Sequence, residues 1–187
     1  MRILVRGGSI AAGAGVNRSY VDILRDHLAP RGIEVINRSR TGETSFDGVE
    51  TFGEDIESFQ PDILILHFGV DDAFSAVYRS EFKENLVRIV RLARDRFDPL
   101  IILLTSHGFD NPHDMEAVGI YYRAIREVGT DLYCDILPIH TYWAGYLLGR
   151  KRSGAEFLQK DARFPNEKGH EIYAEAIIQK LNRLLQG

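Results

Sequence analysis

The sequence predicts an α/β architecture in three layers: a five-stranded parallel sheet with helices on both faces. Five apolar runs alternate with helix-period segments along all 187 residues, the pattern of repeated strand–helix units. Two of the runs, "DILILHF" and "PLIILLTS", are apolar at nearly every position, as strands covered on both faces are. No linker-like shift of composition, internal repeat or low-complexity tract interrupts the alternation, so residues 1–187 read as one domain. A chain of this size buries roughly 70% of its unfolded surface. With 44% hydrophobic residues it builds a core without disulfides.

Each element has a local warrant. The strand segments are Ile3–Val5, Ile33–Ile36, Ile63–Leu66, Leu100–Leu104 and Leu132–Ile136. After the first, Tyr20, Ile23, Leu24, His27 and Leu28 share one helical face, and Val49, Phe52 and Ile56 mark a shorter helix after the second. Phe82, Leu86, Ile89, Val90, Ala93 and Phe97 repeat at helical spacing, as do Val118, Tyr121, Tyr122, Ile125 and Val128. The last helix presents Ile172, Tyr173, Ala176, Ile177, Leu181 and Leu184, with Pro165-Asn166 as its start signal.

Composition narrows the function classes. The single cysteine, Cys134, has no internal partner and reads as a buried inert thiol in the fifth apolar run. Lone cysteines fit a reducing compartment, and the first residues hold too few apolar side chains for a signal-peptide core, so the expected location is cytoplasmic. No run approaches the ~18 apolar residues of a membrane span. The net charge of −4 is scattered. Its densest basic stretch, "LGRKRSG" with Arg150, Lys151 and Arg152, reads as a solvated loop or helix end, so no nucleic-acid partner is expected. No spacing resembles a structural zinc site, and neither a metal nor a cofactor is expected.

In open parallel sheets, ligands bind beyond the carboxyl ends of the strands. Gly7-Gly8-Ser9 follows the first strand, "NRSRTGETS" with Gly42 the second, and "FGVDDAF" with Asp71 and Asp72 the third. "TSHGFDNPHD" with His107 and His113 follows the fourth; "QKDARFPNEKGH" with Asp161 and His170 comes after the fifth, past a long connection. Ser9 admits three readings: a nucleophile, part of a phosphate-cradling loop, or a turn residue. Phosphate loops fit poorly, because Ala14-Gly15 stands where the Walker pattern needs Lys-Ser/Thr, and Arg18 where the dinucleotide pattern needs its third glycine. The Gly-x-Ser-x-Gly elbow fails as well, with Ala11 at its last position.

Four of these stretches, in order, resemble the SGNH (GDSL-type) hydrolases, which act on esters through a Ser-His-Asp arrangement on a flavodoxin-like sheet. "ILVRGGSIAAGAG" is similar to the family's first block, a hydrophobic strand followed by Gly-Asp-Ser. "NRSRTGETS" resembles the glycine-bearing second block, and "LILHFGVDDA" the third, Gly-x-Asn-Asp. "DARFPNEKGHEIYAEAI" resembles the last, Asp-x-x-His-Pro-Asn-x-x-Gly-His. The resemblance spans nearly the whole chain. It implies a flavodoxin-like three-layer sandwich, a small-molecule ester or acyl ligand, and hydrolysis or acyl transfer without a cofactor. By position Ser9 matches the nucleophile. Gly42 matches the glycine whose backbone N–H helps hold the oxyanion; taken alone it reads equally as a loop glycine.

Three positions depart from the family pattern. Gly8 replaces the first-block aspartate, a change read as loop packing. Asp71 replaces the third-block asparagine; an amide donates two hydrogens where an ionised carboxylate donates none. Asp71 is therefore an oxyanion donor only when protonated, and otherwise a cap for the following turn. Phe164 replaces the last-block histidine in Asp161-Ala162-Arg163-Phe164. Losing the base of a serine triad lowers turnover by about 10⁶, and Asp161 is left as a loop anchor for Arg163 or Lys160. His107, at the right sheet edge, is the candidate substitute base; its other reading is a solvated loop histidine. His67 reads as a core histidine and His170 as structural. Two functions follow: an ester hydrolase or acyl-transfer enzyme using Ser9 with a rearranged base, or a non-catalytic domain of the same fold that binds a small ligand or a protein partner. A flavin or nucleotide binder is a third reading, with no phosphate motif behind it.

Overall fold

Five parallel strands in the order β2-β1-β3-β4-β5 organise the chain; the computed structural model describes residues 1–75 and 77–185. The strands are β1 (Arg2–Gly7), β2 (Glu34–Asn37), β3 (Ile63–His67), β4 (Leu100–Leu104) and β5 (Asp135–Leu137). This is the flavodoxin-like doubly wound order, whose switch point lies between β1 and β3. Every residue of β3 is buried, and all but the first of β4, which is why both read as unbroken apolar runs.

The helices are α1 (Ser9–Ala12), α2 (Tyr20–Leu28), α3 (Ser45–Glu50), α4 (Val70–Phe74), α5 (Arg79–Phe97), α6 (Pro112–Asp131), α7 (Ile139–Arg150) and α8 (Glu167–Leu184). Side-chain caps fix where α2, α6 and α8 begin. Ser19 and Asp22 form a capping box on α2. Asn111 accepts from the backbone of His113 and Asp114 at the start of α6, and Asn166 from Gly169 at the start of α8.

The sequence reading gives no helix at α1 or α4 and sets the second strand one residue early, and three further elements differ. The fifth strand covers Asp135–Leu137 rather than Leu132–Ile136, because Leu132 closes α6 and Tyr133 turns the chain at a left-handed φ of 49°. Cys134 therefore lies in that turn, half-buried. The connection beyond β5 contains α7, with Arg150 of the basic stretch as its last residue; it buries only Ile139 and Trp143, too narrow a stripe to stand out as a helical period. The helix marked by Val49, Phe52 and Ile56 divides into α3 and a π-helical turn at Gly53–Glu57.

Beneath the carboxyl edge of the sheet lies a buried layer of histidine and tyrosine. Tyr20 Oη meets His67 Nδ1 at 3.0 Å, and His67 Nε2 meets Ser106 Oγ at 3.0 Å. His107 Nδ1 meets Tyr173 Oη at 2.9 Å, and His170 Nδ1 accepts from the Tyr20 backbone at 3.1 Å. Burial lowers all three imidazoles, His67 to about 3 and His107 and His170 to about 4.

A Cβ at Gly7 would sit 2.2 Å from the His67 carbonyl oxygen on the neighbouring strand. Gly7→Ala is expected to lower stability by about 1–3 kcal/mol, read as a reduced urea midpoint, whereas Gly53→Ala, with open space around it, does not lower it. The buried layer also sets an acid limit. Its histidines have folded values below the ordinary 6.5, so the unfolded chain binds more protons and stability falls as the solution is acidified from 6.5 towards about 4. Asp71 and Asp72, raised by burial, act in the opposite sense, but three imidazoles outweigh two carboxylates. Urea midpoints across that interval check the expectation; a flat profile would show that the imidazoles are not held neutral.

Candidate active site

Ser9 opens α1 just beyond β1, and Asp71 lies in α4 just beyond β3. Gly7 and His67 are register partners across these two strands, so both side chains emerge at the switch point. Ser9 Oγ donates to Asp71 Oδ1 at 2.6 Å, and the Ser9 N–H donates to Asp71 Oδ2 at 2.7 Å. The Gly42 N–H donates to Ser9 Oγ at 2.9 Å. Ser9 is only 2% exposed, so its hydroxyl is held between one acceptor and one donor. Burial raises Asp71 above the usual aspartate range, against the hydrogen bonds of Ser9 and the charge of Arg163.

The cap on the following turn is Asp72. Its Oδ2 accepts the Gly69 N–H at 3.0 Å and its Oδ1 the Ser45 N–H at 2.8 Å, and burial pushes it up to about 6. Asp71 is thereby free to face Ser9. Positions 8 and 71 compete for one space: a Cβ on Gly8 would lie 2.1 Å from Asp71 Oδ2 and 2.5 Å from the Glu43 carbonyl oxygen. An aspartate at position 8 has no room while the carboxylate of Asp71 stands there.

Gly42 has φ 81°, a left-handed value that glycine adopts without strain. Its loop is held from below by charge. Arg40 forks onto Asp55 at 2.6 and 2.7 Å, and Glu43 meets Arg6 Nη1 at 2.6 Å. Arg6, fully buried on β1, also donates to Gly7 O at 3.1 Å and Thr51 Oγ1 at 3.0 Å, with its Nε 3.3 Å from Asp55. Burial alone would raise Asp55, but Arg40, Thr51 and Arg6 more than offset it and hold the carboxyl below the usual range.

The last block packs beside the first. Gln159 Nε2 donates to Ala14 O at 2.8 Å and Pro165 O at 2.9 Å. Asp161 is engaged by Arg163, through Nη2 at 2.5 Å and Nε at 2.9 Å. The Arg163 guanidinium lies 5.1 Å from the centre of the Phe74 ring and 5.7 Å from that of Phe164. Phe164 is half-buried against the core and offers no proton acceptor. His107 is buried rather than solvated. Tyr173 Oη accepts its backbone N–H and donates to Nδ1, which leaves the proton on Nε2, facing Ala162 O at 3.3 Å. Its ring stacks on Phe109 with centroids 4.8 Å apart.

Among the five residues chosen from sequence, Ser9, Gly42 and Asp71 meet in one hydrogen-bonded cluster, while Asp161 and His107 are bonded to other partners. Sequence reasoning missed Arg6, Arg40 and Asp55 as supports of the Gly42 loop. One signal was available: Arg6 directly follows the apolar run Ile3–Val5, where a buried cation is costly unless paired. Among the described residues, no group of three or more His, Cys, Asp or Glu is placed to hold a metal, and no helix is long and apolar enough to cross a membrane.

Comparison with known proteins agrees with this layout. An arylesterase of Vibrio mimicus is 26% identical over 184 residues, covering 96% of this chain and 88% of that protein. Esterase TesA of Pseudomonas aeruginosa is 27% identical over 128 residues, 66% of this chain and 64% of that protein. An acetylxylan esterase from Geobacillus stearothermophilus superposes with a TM-score of 0.81 at 22% identity, covering 95% of this chain and 92% of that one. An alpha/beta hydrolase enzyme from the metagenome of Lake Arreo gives 0.84 at 20% identity, covering 95% and 93%. These two structures show the fold. A family model matches residues 5–172, reaching from the first block to the last, and the chain belongs to the GDSL-like lipase/acylhydrolase family.

Proposed function

We propose that this protein hydrolyses, or transfers the acyl group of, small esters at Ser9, with Asp71 as proton acceptor in place of the missing imidazole. The observation that carries this reading is the 2.6 Å hydrogen bond from Ser9 Oγ to Asp71 Oδ1. Nucleophile and base lie within the reach that proton transfer requires, about 2.6–3.2 Å. The resemblance to an arylesterase over 96% of the chain supports the same reaction class.

As Oγ bonds to the ester carbonyl carbon, its proton passes to Asp71 and the carbonyl oxygen takes the negative charge. Asp71 is then neutral, so it no longer opposes that oxyanion, which the Gly42 N–H stabilises. The proton on Asp71 goes next to the departing alkoxide as the carbon–oxygen bond breaks. Water repeats the sequence on the acyl-serine, its proton passing through Asp71 and back to Ser9. A carboxylate is a weaker base than imidazole, so the reaction is slow and favours good leaving groups such as phenolates.

A second reading, ligand binding without turnover, rests on a different contact. Asp71 Oδ2 also holds the Ser9 N–H, a donor that the oxyanion needs.

Aryl acetates separate the two readings. Ser9→Ala is expected to abolish hydrolysis, and Asp71→Asn to lower kcat by about 10² or more. A rise in Asp71→Asn would overturn the base assignment and identify the carboxylate as an obstruction. The rate should climb with pH as Asp71 loses its proton, with a midpoint above the ordinary aspartate value of 3.8. Persistence of that pH dependence in Asp71→Asn would assign the base to another group. Equal rates in wild type and Ser9→Ala would leave the binding reading, which then requires thermal stabilisation by an unreactive ketone analogue of the ester.

A further inference from the structure

We propose that a second crevice, at the carboxyl ends of β4 and β5, binds a small organic carboxylate with a flat apolar body. It has a volume of about 480 Å³ and is lined by residues of β5, α6 and α7 and the segments beside them, within the ~300–1,000 Å³ range of small-molecule sites. Ser9 follows β1, two and three strand positions away in the sheet, or roughly 10–14 Å at the usual strand spacing. The crevice is a separate site.

Its walls divide by chemistry. Met115, Tyr122, Ile136 and Pro138 give it an apolar interior, and Arg123, Arg126, His140 and Thr141 supply the polar atoms. No carboxylate lines it. Arg123 and Arg126 are exposed and make no ion pair among the described residues; Glu127, next after Arg126, is held by Arg79 and Lys83. His140 stacks on Tyr122 with centroids 5.0 Å apart, and its Nδ1 lies 2.8 Å from Thr105 Oγ1. His140 Nε2 makes no hydrogen bond among the described residues.

Every ionic group lining the crevice is thus a cation, and its imidazole leaves one ring nitrogen for a ligand. Two guanidinium groups match a carboxylate in charge and in fork geometry. The apolar interior distinguishes an organic anion from an inorganic one, which would leave Tyr122, Met115 and Ile136 without a partner.

The test uses the full chain with 2-naphthoate, 2-naphthol and inorganic phosphate as probes, followed by calorimetry. Saturable 2-naphthoate binding is expected, with 2-naphthol and phosphate each at least about tenfold weaker. The double variant Arg123→Glu/Arg126→Glu alters only exposed side chains and should weaken naphthoate binding at least about tenfold. Gly119→Leu supplies an independent block: a Cβ there meets only Met115 Cε, at 3.7 Å, so leucine enters the crevice without displacing backbone and should abolish binding. Urea midpoints confirm that both variants fold. Absence of naphthoate binding, phosphate binding as tight as naphthoate, or binding that survives both variants would overturn the proposal. Loss of binding in Ser9→Ala would also overturn it, by placing the ligand at the other site.

Discussion

A buried guanidinium is the constraint from which the serine site is built. Arg6 lies fully within the protein at the end of β1, and an unpaired charge there would cost several kcal/mol. Its two acidic partners come from different segments, Glu43 beside Gly42 and Asp55 in the π-helical turn. Asp55 in turn holds Arg40 on the other side of Gly42. Two cations and two anions thereby balance, and the loop that presents the Gly42 N–H is tied at both flanks. Arg6 also grips the carbonyl of Gly7, two residues before Ser9. The distance between the Gly42 N–H and Ser9 Oγ is therefore set by an electrostatic network below the site.

The departures from the family pattern at positions 8 and 71 are adjacent in space. Where the family places a carboxylate at the first position and an amide at the second, this chain has no side chain at the first and a carboxylate at the second. A Cβ at Gly8 would fall 2.1 Å from Asp71 Oδ2, so a side chain at position 8 has no room beside the present placement of Asp71. In this chain the negative charge beside the serine is carried by Asp71 on α4. From there it reaches both the hydroxyl and the N–H of Ser9, which the amide it replaces could accept only with a single oxygen.

Most of the architecture was legible because burial leaves a direct trace in sequence. Strands covered on both faces are apolar throughout, and β3 and β4 were readable at almost their observed limits. β5 was not, because Leu132 and Cys134 are as apolar as the strand they precede, and only the left-handed turn at Tyr133 separates them from it. α7 escaped notice since a helix that buries two residues leaves no periodic stripe. In the site, family position picked out Ser9, Gly42 and Asp71, which do meet. It left open whether Asp71 faces the serine or caps the following turn. That choice is made by the Gly69 and Ser45 amides, which take Asp72, and depends on a fold rather than on a motif.

The histidines bear on the proposal of a carboxylate base. Imidazole ordinarily has the advantage in basicity by about two units, and burial removes it in this protein. His107 and His170 are lowered to about 4, while the same desolvation raises Asp71. A low dielectric disfavours the charged form of each, so cationic and anionic acids converge. Once they have converged, proximity decides. His67 is fixed between Tyr20 and Ser106, and His107 between Tyr173 and Ala162. Freeing either ring would break buried hydrogen bonds, each costing about 1–3 kcal/mol to leave unmade. Asp71 already touches the hydroxyl it would deprotonate.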